Sequence, residues 1–406
     1  MVVGIETRGG VLTTVKAPLE ARHYSSGLNS RFNGDQLSFA DYVASSRDMI
    51  RKIRAATRAD NSEIAVGGNA PFELEPPAAA SAGKEKPWRR GILLTHGLSD
   101  SPYFMHHLAA CFQANGFRVM AVLLPGHGTQ PGDLLEVTWQ EWAKAVAYGT
   151  DKLAAEVDEV YLGGYSAGGT LSIYQSLHDN RVRGLFLFAP AIKITRLAAY
   201  AFLHKVVSWV FPRMKWVYIK PDKDIYKYES FAKNTAAQMH ALSEELSAQL
   251  QLHELSIPIF AVASEDDKTV STAATLEFMA GQTNPSNKLI LYTTDREKLA
   301  KDSVAEKIEW VDSVVPAQKI LSSAHTAIIV SPEDGHYGIH GDYANCVHYY
   351  PENIDKYNAC NSHPQECWQG ELSDENLKAG ILRRLMHNPN FSALKTSLRL
   401  FIEHLP

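Results

Sequence analysis

The chain has 406 residues, 45% of them hydrophobic and 21% charged, with a formal net charge of −5. That is enough length for a large α/β domain with additions, and the composition is globular rather than disordered. The acidic balance leaves no nucleic-acid footprint, no stretch is apolar for the roughly 20 residues of a bilayer-spanning helix, and Met1–Arg8 lacks the basic start and apolar core of a signal peptide.

Residues 1–85 read as an extension that precedes the main fold. Phe39–Arg58 carries apolar positions at helical spacing, with Arg47, Arg51, Lys52 and Arg54 on the solvated side. Pro71–Lys86, with Pro76, Pro77 and Gly83, has the composition of a linker. From Arg90 the pattern becomes buried strands alternating with helices. Strands are expected at Gly91–Thr95, Arg118–Leu124, Val160–Gly163, Leu185–Phe188 and Ile257–Ala263, each a near-continuous apolar run as in a parallel sheet covered on both faces. Helices are expected between them at Met105–Asn115, Thr138–Ala155 and Thr170–Leu177. This alternation predicts a mostly parallel, doubly wound α/β sheet with its site at the carboxyl ends of the strands.

The alternation stops after Ala189-Pro190. Residues 191–254 contain no clear strand but much aromatic and apolar material, namely Leu197–Phe202, Val206–Phe211, Trp216–Tyr218 and a long helix over Asn234–Leu252. An insertion there reads as a helical cap over the strand ends. Further strands are expected at Lys288–Tyr292 and Ile320–Ser323, then closing helices around Glu375–Met386 and Phe391–His404. The expected division is thus an extension over 1–85, a core of 86–190 and 255–332, a cap over 191–254, and a loop-rich C-terminal segment over 333–406.

The central motif is Gly163-Gly164-Tyr165-Ser166-Ala167-Gly168-Gly169, which follows the strand Val160–Leu162. Gly164-x-Ser166-x-Gly168 has the form of a nucleophile elbow, a sharp strand-to-helix turn with the serine at its apex. Small residues are needed on either side because the two backbones pass close together. Upstream, His96-Gly97-Leu98 directly follows the first core strand and would expose the Leu98 N–H. Paired with the N–H of Ala167, it would make a two-donor oxyanion hole. His96 itself and His127 read as structural turn residues.

The acid should follow the strand Ile259–Ala263. Of Glu265, Asp266 and Asp267, the last has the best strand-end spacing and Asp266 is the alternative, while Glu265 reads as part of a solvated loop. The base should be a late histidine; His325 is preferred over His336. The order Ser166, Asp267, His325 differs from that of the chymotrypsin and subtilisin types.

Residues 90–190 resemble the carboxylesterase and monoacylglycerol-lipase branch of the α/β-hydrolase superfamily. The resemblance is carried by His96-Gly97-Leu98-Ser99-Asp100-Ser101-Pro102, Pro125-Gly126-His127-Gly128, Thr138-Trp139-Gln140-Glu141-Trp142 and the elbow, in the family's order and spacing. It implies an α/β-hydrolase fold with the cap inserted after the sixth strand, and cofactor-free ester hydrolysis through an acyl-enzyme. The implied partner is a small acyl ester with an apolar chain. A thioesterase or lysophospholipase on the same triad is the nearest alternative, and a non-catalytic binding protein on a hydrolase scaffold is the alternative of a different class. The extension, the insertion between Lys288 and His325, and the long Cys/His-bearing tail depart from the family pattern.

That tail raises two further readings. His336, His340, Asp342, Cys346, His348 and His363 are potential metal ligands, but their spacing fits no metal motif, so no metal is expected. Cys111 reads as a small core residue. Cys346, Cys360 and Cys367 lie close enough in sequence for one disulfide plus a free thiol. The expected location is cytoplasmic, with an exported form if those cysteines pair.

Overall fold

Apolar runs at two-residue alternation between opposite faces build the central sheet. The structure is a computed structural model, and it describes residues 17–57, 59, 62–77, 83–193, 212–299 and 308–406. Its strands are β1 (Phe72–Leu74), β2 (Trp88–Thr95), β3 (Phe117–Val122), β4 (Val157–Tyr165), β5 (Val182–Phe188), β6 (Trp216–Tyr218), β7 (Phe231–Ala232), β8 (Ile259–Ser264), β9 (Lys288–Thr293), β10 (Ile308–Asp312), β11 (Trp368–Gly370) and β12 (Leu382–Arg384). The helices are α1 (Phe39–Ala56), α2 (Glu63–Asn69), α3 (His106–Ala114), α4 (Trp139–Glu156), α5 (Ala167–His178), α6 (Lys233–Leu250), α7 (Thr272–Ala280), α8 (Arg296–Leu299), α9 (Ile354–Ser362) and α10 (Phe391–Glu403).

Among the described residues the main sheet has 8 strands, in the order β1-β3-β2-β4-β5-β8-β9-β10. All its pairings are parallel except that of β1 with β3. Leu93, Met120, Leu162, Leu187 and Leu291 pack into one core with α4, α5, α6 and α7. Their neighbours Ile92, Val119, Phe186, Phe260 and Ile290 pack into the other, with α3 and α10. Both faces are therefore dry, which is why the strands read as unbroken apolar runs. Each fully buried Leu, Ile or Phe contributes roughly 1.5–3 kcal/mol. Helix α10 closes the second face, placing Phe401 5.6 Å from Phe186 and 5.3 Å from Phe260, ring centre to ring centre.

Several sequence expectations change. Pro71–Lys86, expected as a linker, contains β1, which pairs Phe72, Glu73 and Leu74 with Ala121, Met120 and Val119. The extension also packs on the core: Tyr42 of α1 donates to the Leu123 carbonyl at 3.0 Å, and Asn29 to that of His127 at 2.9 Å. Ile320–Ser323 forms only isolated bridges, and β10 takes the sheet edge instead. Around Glu375–Met386 there is no long helix but a short turn, Asn376–Ala379, then β12, with Gly380 at φ +124° between them. Helix propensity there yields to a parallel pairing of β11 with β12.

The insertion after Pro190 follows β5, the fifth strand in chain order rather than a sixth. Within it, Trp216–Tyr218, expected as strand-free, pairs as β6 with β7, and α6 accounts for the expected long helix. The expected segments Leu197–Phe202 and Val206–Phe211 lie outside the described residues. No described helix is long and apolar enough to cross a membrane.

In the C-terminal segment Cys346 is bonded to Cys360 across 14 residues, while Cys367 is free and buried. Both bonded cysteines are fully buried. Closing a loop of this size is worth about 3 kcal/mol in unfolded-state entropy. The variant carrying Cys346→Ser and Cys360→Ser should be less stable by about that amount in non-reducing urea unfolding. An unchanged midpoint would show that the bond contributes nothing to stability.

Candidate active site

Strand β4 ends at Tyr165, α5 begins at Ala167, and the turn between them is the single residue Ser166, at φ +54° and ψ −116°. A left-handed φ at a serine stores strain of order 1–3 kcal/mol. Tight packing holds it there. A Cβ on Gly164 would run into the backbone of Gly168, and one on Gly168 into the carbonyl of Thr95. The elbow is further pinned by Ser166 N–H donating to the Phe188 carbonyl at 2.9 Å and by Ala191 N–H donating to the Ser166 carbonyl at 3.1 Å.

Three side chains meet here: Ser166 directly after β4, Asp267 in the turn after β8, and His325 at the start of the short turn His325–Ala327. His325 Nε2 lies 3.0 Å from Ser166 Oγ, and His325 Nδ1 lies 2.6 Å from Asp267 Oδ2. The other Asp267 oxygen accepts from the N–H of Thr269 at 2.7 Å and of Val270 at 3.0 Å. Burial alone would raise the Asp267 carboxyl; the adjacent imidazole and those two amides outweigh it and hold the group below its ordinary value. It is thus a fixed anion behind the imidazole. Asp266 instead reaches Ser323 N–H at 3.3 Å and Thr294 at 3.3 Å. Glu265, expected in a solvated loop, is engaged by Thr293 at 2.7 Å and Lys298 at 2.6 Å.

His336 lies elsewhere, between Asp342 and Asp224, 3.3 Å from the latter. Among the described residues no group of three or more His, Cys, Asp or Glu is arranged to hold a metal ion, and Cys346 is committed to its disulfide. His96 is fully buried, with Nδ1 2.8 Å from the Gly97 carbonyl and Nε2 accepting from Leu124 N–H at 3.1 Å. Burial, with His127 and Lys227 nearby, pushes its imidazole well below the ordinary value, which suits a neutral ring bracing the turn. His127, also fully buried, is pushed down to about 4.

Leu98 and Ala167 line the same cavity as Ser166 and His325. Ala167 is the first residue of α5, where backbone N–H groups have no intrahelical acceptor and the helix dipole favours negative charge. The cavity measures ≈ 720 Å³, and Tyr218, Tyr228, Phe231 and Met239 of the cap region contribute aromatic and apolar wall.

Sequence reasoning missed the residues that hold His325. Tyr165 donates to the His325 carbonyl at 3.0 Å, and Glu371 accepts from His325 N–H at 3.0 Å. Arg384 in turn holds Glu371 at 2.9 Å. Tyr165 sits within the elbow motif and was findable; Glu371 and Arg384 lie in the tail and carry no local signal. Also missed was Lys227, ion-paired to the buried Asp100 of the His96–Pro102 stretch.

The model of the family described as serine aminopeptidase, S33, matches residues 86–296, a span with Ser166 and Asp267 but without His325. A thermostable monoacylglycerol lipase of Bacillus sp. (strain H-257) is 32% identical over 109 residues, 27% of this chain and 44% of the relative, so the match spans less than half of that protein's length. Among solved structures, one of the metagenome-derived lipolytic enzymes LipS and LipT is similar at 21% identity and TM-score 0.45, covering 59% of this chain and 96% of that one. The monoacylglycerol lipase of Paleococcus ferrophilus is similar at 16% identity and TM-score 0.40, covering 55% of this chain and 88% of that one. The chain belongs to the S33 family of α/β hydrolases.

Proposed function

We propose that the protein is a serine hydrolase that cleaves carboxylic esters of apolar acyl chains. The observation that carries this reading is the hydrogen-bonded series Ser166 Oγ, His325, Asp267 opening into a ≈ 720 Å³ cavity with aromatic and apolar walls. Ser166 Oγ attacks the ester carbonyl while His325 Nε2 takes its proton. The amides of Leu98 and Ala167 hold the oxyanion, and Asp267 stabilises the imidazolium. The C–O bond to the alcohol then breaks, and His325 gives that oxygen the proton. Water, deprotonated by the same nitrogen, attacks the acyl-enzyme and releases the acid.

In this reading the described residues of 86–190 and 255–332 form the core with β1 at its edge and α10 on one face, those of 191–254 cap it, those of the C-terminal segment add a wall of the cavity, and those before β1 brace the core from outside. The monoacylglycerol lipase relative supports an ester substrate over the peptide that the family's name suggests. The buried Cys346–Cys360 bond favours the exported alternative over a cytoplasmic location.

The test is a fluorophosphonate label together with a substrate series of p-nitrophenyl esters and monoacylglycerols of graded chain length, beside aminoacyl p-nitroanilides. Labelling at Ser166 and turnover of esters well above anilides is expected. A folded protein that takes no label would be a binding protein on this scaffold.

A further inference from the structure

One wall of the catalytic cavity comes from the C-terminal segment, beyond the residues matched by the family. Asn345, Val347, His348 and Arg384 line the same space as Ser166 and His325. Three of these four carry polar atoms that are buried and have no partner among the described residues: Asn345 Oδ1, both ring nitrogens of His348, and Arg384 Nε. Asn345 is only 6% exposed. A buried polar atom left without a hydrogen bond is destabilising by about 1–3 kcal/mol, so a cavity for hydrocarbon alone would be poorly served by four of them.

The wall is nonetheless held firmly in place. Arg384 N–H donates to the Asn345 carbonyl at 2.9 Å, and its Nη2 bonds Thr269 at 2.6 Å and Glu371 at 2.9 Å. The disulfide of Cys346 anchors the chain between Asn345 and Val347. The Asn345 amide gives its N–H to the Met386 sulfur at 3.3 Å, a weak acceptor. Turning the amide over would put that donor where Oδ1 stands.

Charge around this wall is predominantly of one sign. The cations around His348 are Lys220, Arg384 and Lys356; burial first, then those cations, push its imidazole down to about 4. The ring is therefore neutral near pH 7, with one nitrogen a donor. Lys220 also lines the cavity, and its ammonium is met by the Tyr350 carbonyl and, at 3.8 Å, by the exposed Glu352. Of the carboxylates that reach the cavity, Asp100 is paired with Lys227, and burial pushes Glu229 up to about 7. Glu371 is engaged by Arg384.

We propose that Arg384, His348, Asn345 and Lys220 form a subsite for an anionic oxygen group, a carboxylate or a phosphate, carried by the ester substrate. Charged donors to such a group make short, strong hydrogen bonds, and the group would supply acceptors for the donors that the protein leaves unmatched. The enzyme then selects esters bearing a negative charge at one end over neutral esters of equal length. This rests on the Ser166 hydrolase reading.

The test compares kcat/KM within two matched pairs: mono-p-nitrophenyl adipate against p-nitrophenyl hexanoate, and a monoacylglycerol 3-phosphate against the monoacylglycerol. At least one anionic member should be preferred by about tenfold or more, and that pair identifies carboxylate or phosphate. In His348→Ala and Lys220→Gln the preference should shrink about tenfold, through KM rather than kcat. These two variants are the probes because Arg384→Gln would also strand Glu371. Calorimetry on Ser166→Ala with monohexyl glutarate and its neutral counterpart, hexyl pentanoate, reads the same subsite without turnover. Ester hydrolysis with no preference, or a preference that survives both substitutions, overturns the subsite and leaves the hydrolase reading standing. Selective binding by Ser166→Ala with no hydrolysis by the parent supports the subsite and overturns the ester reading.

Discussion

Ser166→Ala is expected to remove ester turnover by a factor on the order of 10⁴–10⁶ while leaving the fold intact. Only one of the two effects touches stability. The side-chain hydroxyl has a hydrogen bond to His325 Nε2 at 3.0 Å and little else, and the backbone bonds of residue 166 to Phe188 and Ala191 do not depend on it. Alanine at φ +54° is strained much as serine is, so the elbow keeps its shape and its energy. The expected change in unfolding free energy is within about 1 kcal/mol. Because the three side chains act as a unit in the proposed mechanism, adding His325→Ala to Ser166→Ala should cost little more activity than either alone. Steady-state kinetics with circular dichroism melting of the same preparation measures both quantities. Residual turnover above about one per cent of the parent would move the nucleophile away from Ser166.

What the sequence disclosed follows from how local each signal is. Strands β2, β3, β4, β5, β8 and β9 are covered on both sides, so each reads as an apolar run bounded by polar turns. Strand β1 is three residues flanked by Pro71 and Pro76, too short for any period to register. Strand β10, Ile-Glu-Trp-Val-Asp, is an edge strand with partly exposed residues throughout, and its polar positions mask it. The opposite error occurs at Ile320–Ser323, where apolar residues precede two serines whose backbone and side chains serve Asp266 and Glu371 rather than a ladder.

The same division runs through the site. Ser166 and the His96-Gly97-Leu98 turn are legible because strand, turn and helix are contiguous there, and each glycine answers a steric demand within a few residues. Asp267 and His325 are legible more weakly, as polar residues at the ends of apolar runs. Glu371, Arg384, Asn345 and His348 are not legible at all. Arg384, Asn345 and His348 reach the cavity, and Glu371 reaches His325, only because β11 pairs with β12 and Cys346 bonds Cys360, and neither pairing leaves a trace at the residues it positions.

The two late histidines can be separated because one should govern rate and the other stability. His325→Ala should lower kcat/KM on the order of 10³-fold or more, since in the proposed mechanism it removes both the acceptor of the Ser166 proton and the donor to the leaving alcohol. Asp267→Asn should cost a comparable factor by favouring the wrong tautomer of an otherwise well-placed ring. His336→Ala should leave kcat within a few-fold, because His336 makes no contact with Ser166 and does not line the cavity. It should instead destabilise the fold by about 1–3 kcal/mol, because the fully buried Asp224 loses one of its partners and keeps Tyr337. Burial alone would lower the His336 imidazole, but Asp224 and Asp342 outweigh it and hold the group above its ordinary value. A raised folded-state value means that the folded protein holds the proton more tightly than the unfolded chain does. Its contribution is complete below the unfolded value near 6.5 and disappears as pH rises through the folded value. The gap in unfolding free energy between His336→Ala and the parent should therefore be wider at pH 5.5 than at pH 9. If His336→Ala lost turnover on the order of 10³-fold and His325→Ala kept it, the base would have to be reassigned to His336.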